Sequence, residues 1–89
     1  MPMNTPNTEF KTELKQLIID ECDKEYSVDA IADGIPLVGE QLDIDSLDVL
    51  QICMAIQQRY GVRIEGSNKA RKLFRDIDTL ANHVARHRQ

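Results

Sequence analysis

The sequence predicts an all-α four-helix bundle, and three observations carry that prediction. Apolar residues recur at helical spacing in separate stretches of the chain. Helix caps and stops, notably Asp45-Ser46, Gly61 and Asp76, stand at the ends of those stretches. The aromatic residues are only Phe10, Tyr26, Tyr60 and Phe74, with no tryptophan, so the core must be Leu, Ile, Val, Ala and Met, which favours packed helices over a sheet sandwich. Eighty-nine residues build one domain near the low end of what supports its own core, and a hydrophobic fraction of 42% argues against disorder throughout.

The first helix is expected over roughly residues 8–24, with Thr8 as its cap and Glu9 in its first turn. Phe10, Leu14, Leu17, Ile18 and Cys22 form its apolar stripe, with Lys11, Glu13, Lys15 and Asp20 between them. Residues 1–7 read as a flexible end. From Lys24 to Ile44 the periodicity breaks at Gly34, Pro36 and Gly39, while Val28, Ile31, Ile35, Leu37 and Val38 are scattered along it. Val28–Ala32 suits a single turn. A connection of this length is unusual in a compact domain, and its apolar anchors predict that it packs across the bundle.

The second helix is expected from Asp45 or Ser46 to Tyr60, stopped by Gly61. On a helical wheel Val49, Cys53, Ile56 and Tyr60 share one face, with Ile52 bordering it. Leu47, Leu50 and Met54 border the other side at i, i+3 and i+7. Two readings of this flank stand: an exposed strip beside Ser46 where a partner docks, or ordinary core. Val62–Gly66 reads as an extended connection. Ser67 is placed as the cap of a brief third helix holding Ala70, Leu73 and Phe74, with Lys69, Arg71, Lys72 and Arg75 outward. Asp76 caps a last helix whose core side is Ile77, Leu80, Ala81 and Val84. The domain is drawn as residues 8–85, with 86–89 as a basic tail suited to the negative end of that helix.

Charge is segregated. Residues 1–39 hold eight acids and three bases, residues 40–60 four and one, and residues 61–89 three and seven, within a net charge of -4. Such a field steers partners, or it is no more than a set of solvated helix faces. The acidic front half argues against nucleic-acid binding. Cys22 and Cys53 sit inside apolar patterns without ligand spacing, which points to buried free thiols in a reducing compartment. Met1–Thr8 lacks a basic and an apolar region, so no signal peptide is expected, and no run is long enough to span a membrane. A cytoplasmic, monomeric protein is the expectation.

No catalytic set assembles. His83 and His87 lie one turn apart, but no acid or Cys joins them, so no metal site is assigned. Ser46 has no histidine near it in sequence to activate it, so any chemistry there must be driven by another protein. Taken alone, Asp45-Ser46 is a helix cap. Its setting adds more: Asp43, Asp45 and Asp48 flank a serine at the tip of a bundle, where a helix N-terminus favours a phosphate. The aspartates oppose that phosphate and suit the docking of a basic partner instead.

The stretch Leu42-Asp43-Ile44-Asp45-Ser46-Leu47-Asp48-Val49-Leu50 resembles the attachment motif of the acyl carrier proteins, and the order of long helix, long loop, Asp-Ser-Leu helix, short helix and final helix resembles theirs over residues 9–85. The resemblance implies a four-helix bundle of the acyl-carrier type that is not an enzyme. It implies 4'-phosphopantetheine attached covalently to Ser46 by a phosphopantetheinyl transferase from coenzyme A, carrying acyl groups as thioesters. Ketosynthases and acyl-transferring or acyl-activating enzymes are the implied partners. Leu47, Leu50 and Met54, with Asp43, Asp45 and Asp48, match recognition positions, and Ile64 and Ile77 fall near positions lining an acyl cavity. Gln51, Gln57 and Gln58, where fatty-acid carriers commonly have acids, and the basic third helix depart from the housekeeping pattern. Pro36-Leu37-Val38-Gly39 ahead of the Leu42–Leu50 stretch, together with Tyr60-Gly61-Val62-Arg63-Ile64, resembles stand-alone carriers of specialised lipid, polyketide or aryl-polyene pathways. A peptidyl or aminoacyl carrier, and an unmodified interaction module in which Asp45-Ser46 only caps a helix, are the competing readings.

Overall fold

In a computed structural model, residues 8–88 are described, without the side chain of Ser67; the expectation of a flexible end at residues 1–7 falls outside them. Four helices form a bundle: α1 (Thr8–Cys22), α2 (Ser46–Tyr60), α3 (Ser67–Leu73) and α4 (Ile77–His87). A single 3-10 turn, Val28–Ala30, interrupts the long first connection where a turn was expected. α1 packs against both α2 and α4, and α3 rests on α4.

α1 ends two residues earlier than its periodicity suggests. Asp23 takes a left-handed backbone (φ 54) and the Lys24 N–H donates to the Ile19 carbonyl at 3.0 Å, which closes the helix in a Schellman-type turn. Because α1 meets two partner helices, its buried stripe is wider than one face and takes in Ile19 beside Phe10, Leu14, Leu17 and Ile18. Cys22, assigned to that stripe from sequence, is only half-buried. The cap position of α1 precedes Thr8, which is already helical, and so lies outside the described residues.

The connection behaves as its apolar anchors suggest, with one exception. Ile31, Leu37, Leu42 and Ile44 are buried, whereas Val38 stays on the surface. The Leu37 N–H donates to the Phe74 carbonyl (3.2 Å), the Asp78 N–H to the Asp33 carbonyl (3.3 Å), and Gly39 and Ile44 exchange backbone hydrogen bonds. Lys15 reaches Asp33 (2.8 Å) and Lys11 reaches Asp78 (2.6 Å) and Asp33 (3.7 Å), so α1, the connection and α4 are clamped at one corner. Each exposed pair contributes under about 1 kcal/mol.

α2 spans the expected range and stops at Gly61, whose left-handed φ of 71 suits a residue without Cβ. Its core face is centred differently from the wheel: Ile52 and Ile56 are fully buried, while Val49, Cys53 and Tyr60 are half-buried. The N-cap of α3 is Gly66 (φ 86), not Ser67, because the turn into this helix needs a positive φ. α4 begins as expected, with the Thr79 N–H donating to Asp76 Oδ1 at 2.7 Å, and buries Ile77, Leu80, Ala81 and Val84. It continues to His87, and the Arg88 guanidinium lies 4.6 Å over the ring of Phe10.

Candidate functional site

The connection enters α2 through a tight sequence of contacts. Asp43 adopts a left-handed backbone (φ 55), Ile44 plugs into the core, and Asp45 takes the N-cap. The Asp48 N–H donates to Asp45 Oδ1 (3.0 Å) and the Asp45 N–H donates to Asp48 Oδ2 (3.1 Å), a reciprocal capping box. Ser46 is the first helical residue, exposed, between these two acids. Of the pair Asp45-Ser46 read as a cap from sequence, Asp45 is the capping residue.

Beside Ser46 the α2 surface is apolar. Leu47, Leu50 and Met54 are 73%, 58% and 54% exposed, which decides between the two sequence readings in favour of an open flank. Their neighbour Val38 is exposed as well. The strip departs from the scattered single apolar residues of an ordinary soluble surface.

Three acids flank the serine, and the structure gives each other work. Lys24, from the turn after α1, donates a hydrogen bond to the Asp43 carbonyl and lies 3.6 Å from the Asp43 carboxylate and 3.7 Å from that of Asp48. The Tyr26 hydroxyl donates to the Leu42 carbonyl at 2.7 Å, and Cys22 Sγ points at the Asp48 carbonyl at 3.9 Å. Burial, and then the Asp48 charge, push the Cys22 thiol up to about 11. Sequence reasoning missed Lys24 and Tyr26: their hydrogen-bond partners lie 19 and 16 residues away in the chain, and nothing in their local pattern marks them.

Ser46 also lines a cleft of about 390 Å³ between α2, the connection and α3. Val38, Val49, Leu50, Cys53 and Ile64 supply apolar walls, and Arg71 is the charged residue of the lining. Ile64 lies on the wall of this cleft. Ile77 is fully buried in the core and is not part of the cleft lining. Cys53 opens onto the cleft, and burial raises its thiol pKa above the ordinary value.

The His83 and His87 rings lie 4.4 Å apart and tilted, and no group of three His, Cys, Asp or Glu side chains among the described residues is arranged to hold a metal. No helix among these residues is long and apolar enough to cross a membrane.

Residues 12–84, most of the chain, match the family described as the phosphopantetheine attachment site. The chain belongs to that family. No curated protein and no solved structure matched it. As a member of the phosphopantetheine-attachment family it is a carrier, bearing covalent 4'-phosphopantetheine on a domain of acyl-carrier-type helical architecture. The family's domain is a carrier rather than a catalytic one, and such carriers meet phosphopantetheinyl transferases and acyl-handling enzymes. The residues present fit the group: an exposed hydroxyl at a helix N-terminus opens beside an apolar cleft.

Proposed function

We propose that Ser46 bears the phosphopantetheine arm and that the protein carries acyl intermediates as thioesters between enzymes of fatty-acid, polyketide or related specialised lipid synthesis. The observation that carries the reading is the position of Ser46: exposed, locked at the first turn of α2 by the Asp45–Asp48 box, and on the wall of an apolar cleft. Its Oγ would attack the pyrophosphate of coenzyme A in a transferase active site, forming a phosphodiester as the nucleotide half leaves. The activating base is assigned to that enzyme, since among the described residues Asp45 and Asp48, the acids on either side of Ser46, are committed to each other's backbone N–H rather than to its hydroxyl. When bound, the group supplies a thiol on a long swinging arm.

The chain's own residues do the rest. The capping box fixes the backbone on either side of Ser46. Leu47, Leu50 and Met54 offer an apolar landing strip, with Asp43, Asp45 and Asp48 as its charged rim, the anatomy of a transient interface. The walls Val38, Val49, Leu50, Cys53 and Ile64 suit an alkyl or acyl chain better than an aminoacyl group, whose ammonium would be desolvated there. Half-buried free thiols fit a reducing compartment such as the cytoplasm.

Intact-mass measurement tests the assignment. After incubation with coenzyme A and a broad-specificity phosphopantetheinyl transferase, the protein should gain the mass of one phosphopantetheine, and Ser46→Ala should gain none. An equal gain in Ser46→Ala, or no gain across several transferases, overturns it.

A further inference from the structure

We infer that Lys24 acts as an internal competitor for partner cations on the Ser46 face and so sets how tightly basic partners, the phosphopantetheinyl transferase first among them, engage this carrier. The inference rests on the proposed role of Ser46. The acids around that serine are the natural counterpart of a basic docking surface, yet two of them are already addressed from within the chain. Lys24 Nζ lies 3.6 Å from Asp43 Oδ2 and 3.7 Å from Asp48 Oδ2. It is held there by its hydrogen bond to the Asp43 carbonyl and by partial burial, its side chain being only 15% exposed.

The cation is therefore fixed, while the Asp43 carboxylate is 96% exposed and open to an approaching Lys or Arg. An incoming cation meets an acid whose field is partly cancelled. The third acid, Asp45, has one oxygen committed to the Asp48 N–H. Asp48 spends Oδ2 on the Asp45 N–H as well as on Lys24. The face thus presents less attraction than its three carboxylates suggest, and the missing part is assignable to one side chain. Removing that charge should strengthen encounter with a basic surface, by a modest factor at low salt and by little once the solution screens it.

A purely structural role makes the opposite prediction. Lys24 and Tyr26 both latch the Leu42–Asp43 carbonyls, so loosening the latch would disorder the approach to Ser46 and weaken recognition. Three variants separate the roles: Lys24→Gln removes the charge, Lys24→Arg keeps it, and Tyr26→Phe breaks the neighbouring latch without touching charge. The readout is the KM and kcat of phosphopantetheine transfer onto the full chain by a purified transferase, followed by intact mass at low and high salt.

The expected result is a KM about two- to fivefold lower for Lys24→Gln at low salt, with kcat unchanged and the difference vanishing at high salt. Lys24→Arg and Tyr26→Phe should stay within about twofold of the parent. A KM for Lys24→Gln that is unchanged or raised, or a fall that persists at high salt, overturns the inference while mass gain on Ser46 still stands. Absence of mass gain in the parent overturns the Ser46 assignment and this inference with it.

Discussion

Asp45 and Asp48 close the first turn of α2 for each other, each accepting the other's backbone N–H, at 3.0 and 3.1 Å. Ser46 lies between them in the chain, so the same two carboxylates that would greet a partner also fix the serine's backbone. Asn keeps an acceptor oxygen and loses the charge. Asp45→Asn should therefore leave the urea midpoint nearly unchanged while weakening a basic partner. Asp45→Ala should cost about 1 kcal/mol of stability as well. Equilibrium unfolding of both variants checks this; equal losses would mean that the charge, not the acceptor oxygen, holds the turn, and no loss in either would mean that the cap contributes nothing.

The two apolar sides of α2 should respond in opposite ways. Ile52 is fully buried, and Ile52→Ala should cost about 2–5 kcal/mol. Leu50→Ser and Met54→Ser, on the open strip, should shift stability by no more than about 0.5 kcal/mol while lowering the rate of transfer onto Ser46. Thermal melts paired with loading kinetics distinguish the sides.

The α1–α4 corner should make stability fall at both ends of the pH scale. The hydrogen bond from Lys15 holds the Asp33 pKa below its ordinary value against the opposing effect of burial. Its contribution is complete above the unfolded value of 3.8 and disappears as the pH falls through the lower folded value. Lys11 is shifted upward, chiefly by its hydrogen bond to Asp78, so its share holds below 10.5 and is lost as the pH rises through the folded value. Melting temperature against pH should show both losses, and Asp33→Asn should lower the plateau slightly and flatten the acid limb.

Thiol chemistry should separate the arm from the protein. Burial raises the pKa of both Cys22, to about 11, and Cys53. At mildly alkaline pH neither forms much thiolate, and thiolate is the reactive species. Limited iodoacetamide treatment of the loaded protein should therefore alkylate the solvent-exposed arm first, and peptide mapping would reveal Cys22 or Cys53 as the faster site if burial does not protect them.

Elements with their own punctuation were legible in the sequence. α2 carries an acidic cap, a long apolar period and Gly61, and α4 carries Asp76 and four periodic core residues; α2 was bounded at both ends and α4 at its start from residues alone. Where neighbours decide, the reading slipped. Ile19 and Ile52 are buried because α1 and α2 pack against each other and α1 also against α4, which no single wheel shows. Gly66 caps α3 because the chain needs a positive φ there, a backbone demand that the nearby serine masked. Lys24 and Tyr26 donate to the Asp43 and Leu42 carbonyls of a distant loop, and backbone acceptors leave no mark on sequence pattern. The apolar strip was legible as an excess of hydrophobic residues around α2, since one contact face could not use them all.

Every buried side chain among the described residues is apolar, so no proton has to enter or leave the interior when the medium changes. The groups that answer to acid are surface clamps of small individual worth. A thioester survives mild acid far better than base. The buffer that preserves a labile cargo is therefore one this fold tolerates, and the loaded carrier should be recoverable intact where a protein with an interior carboxylate network would come apart.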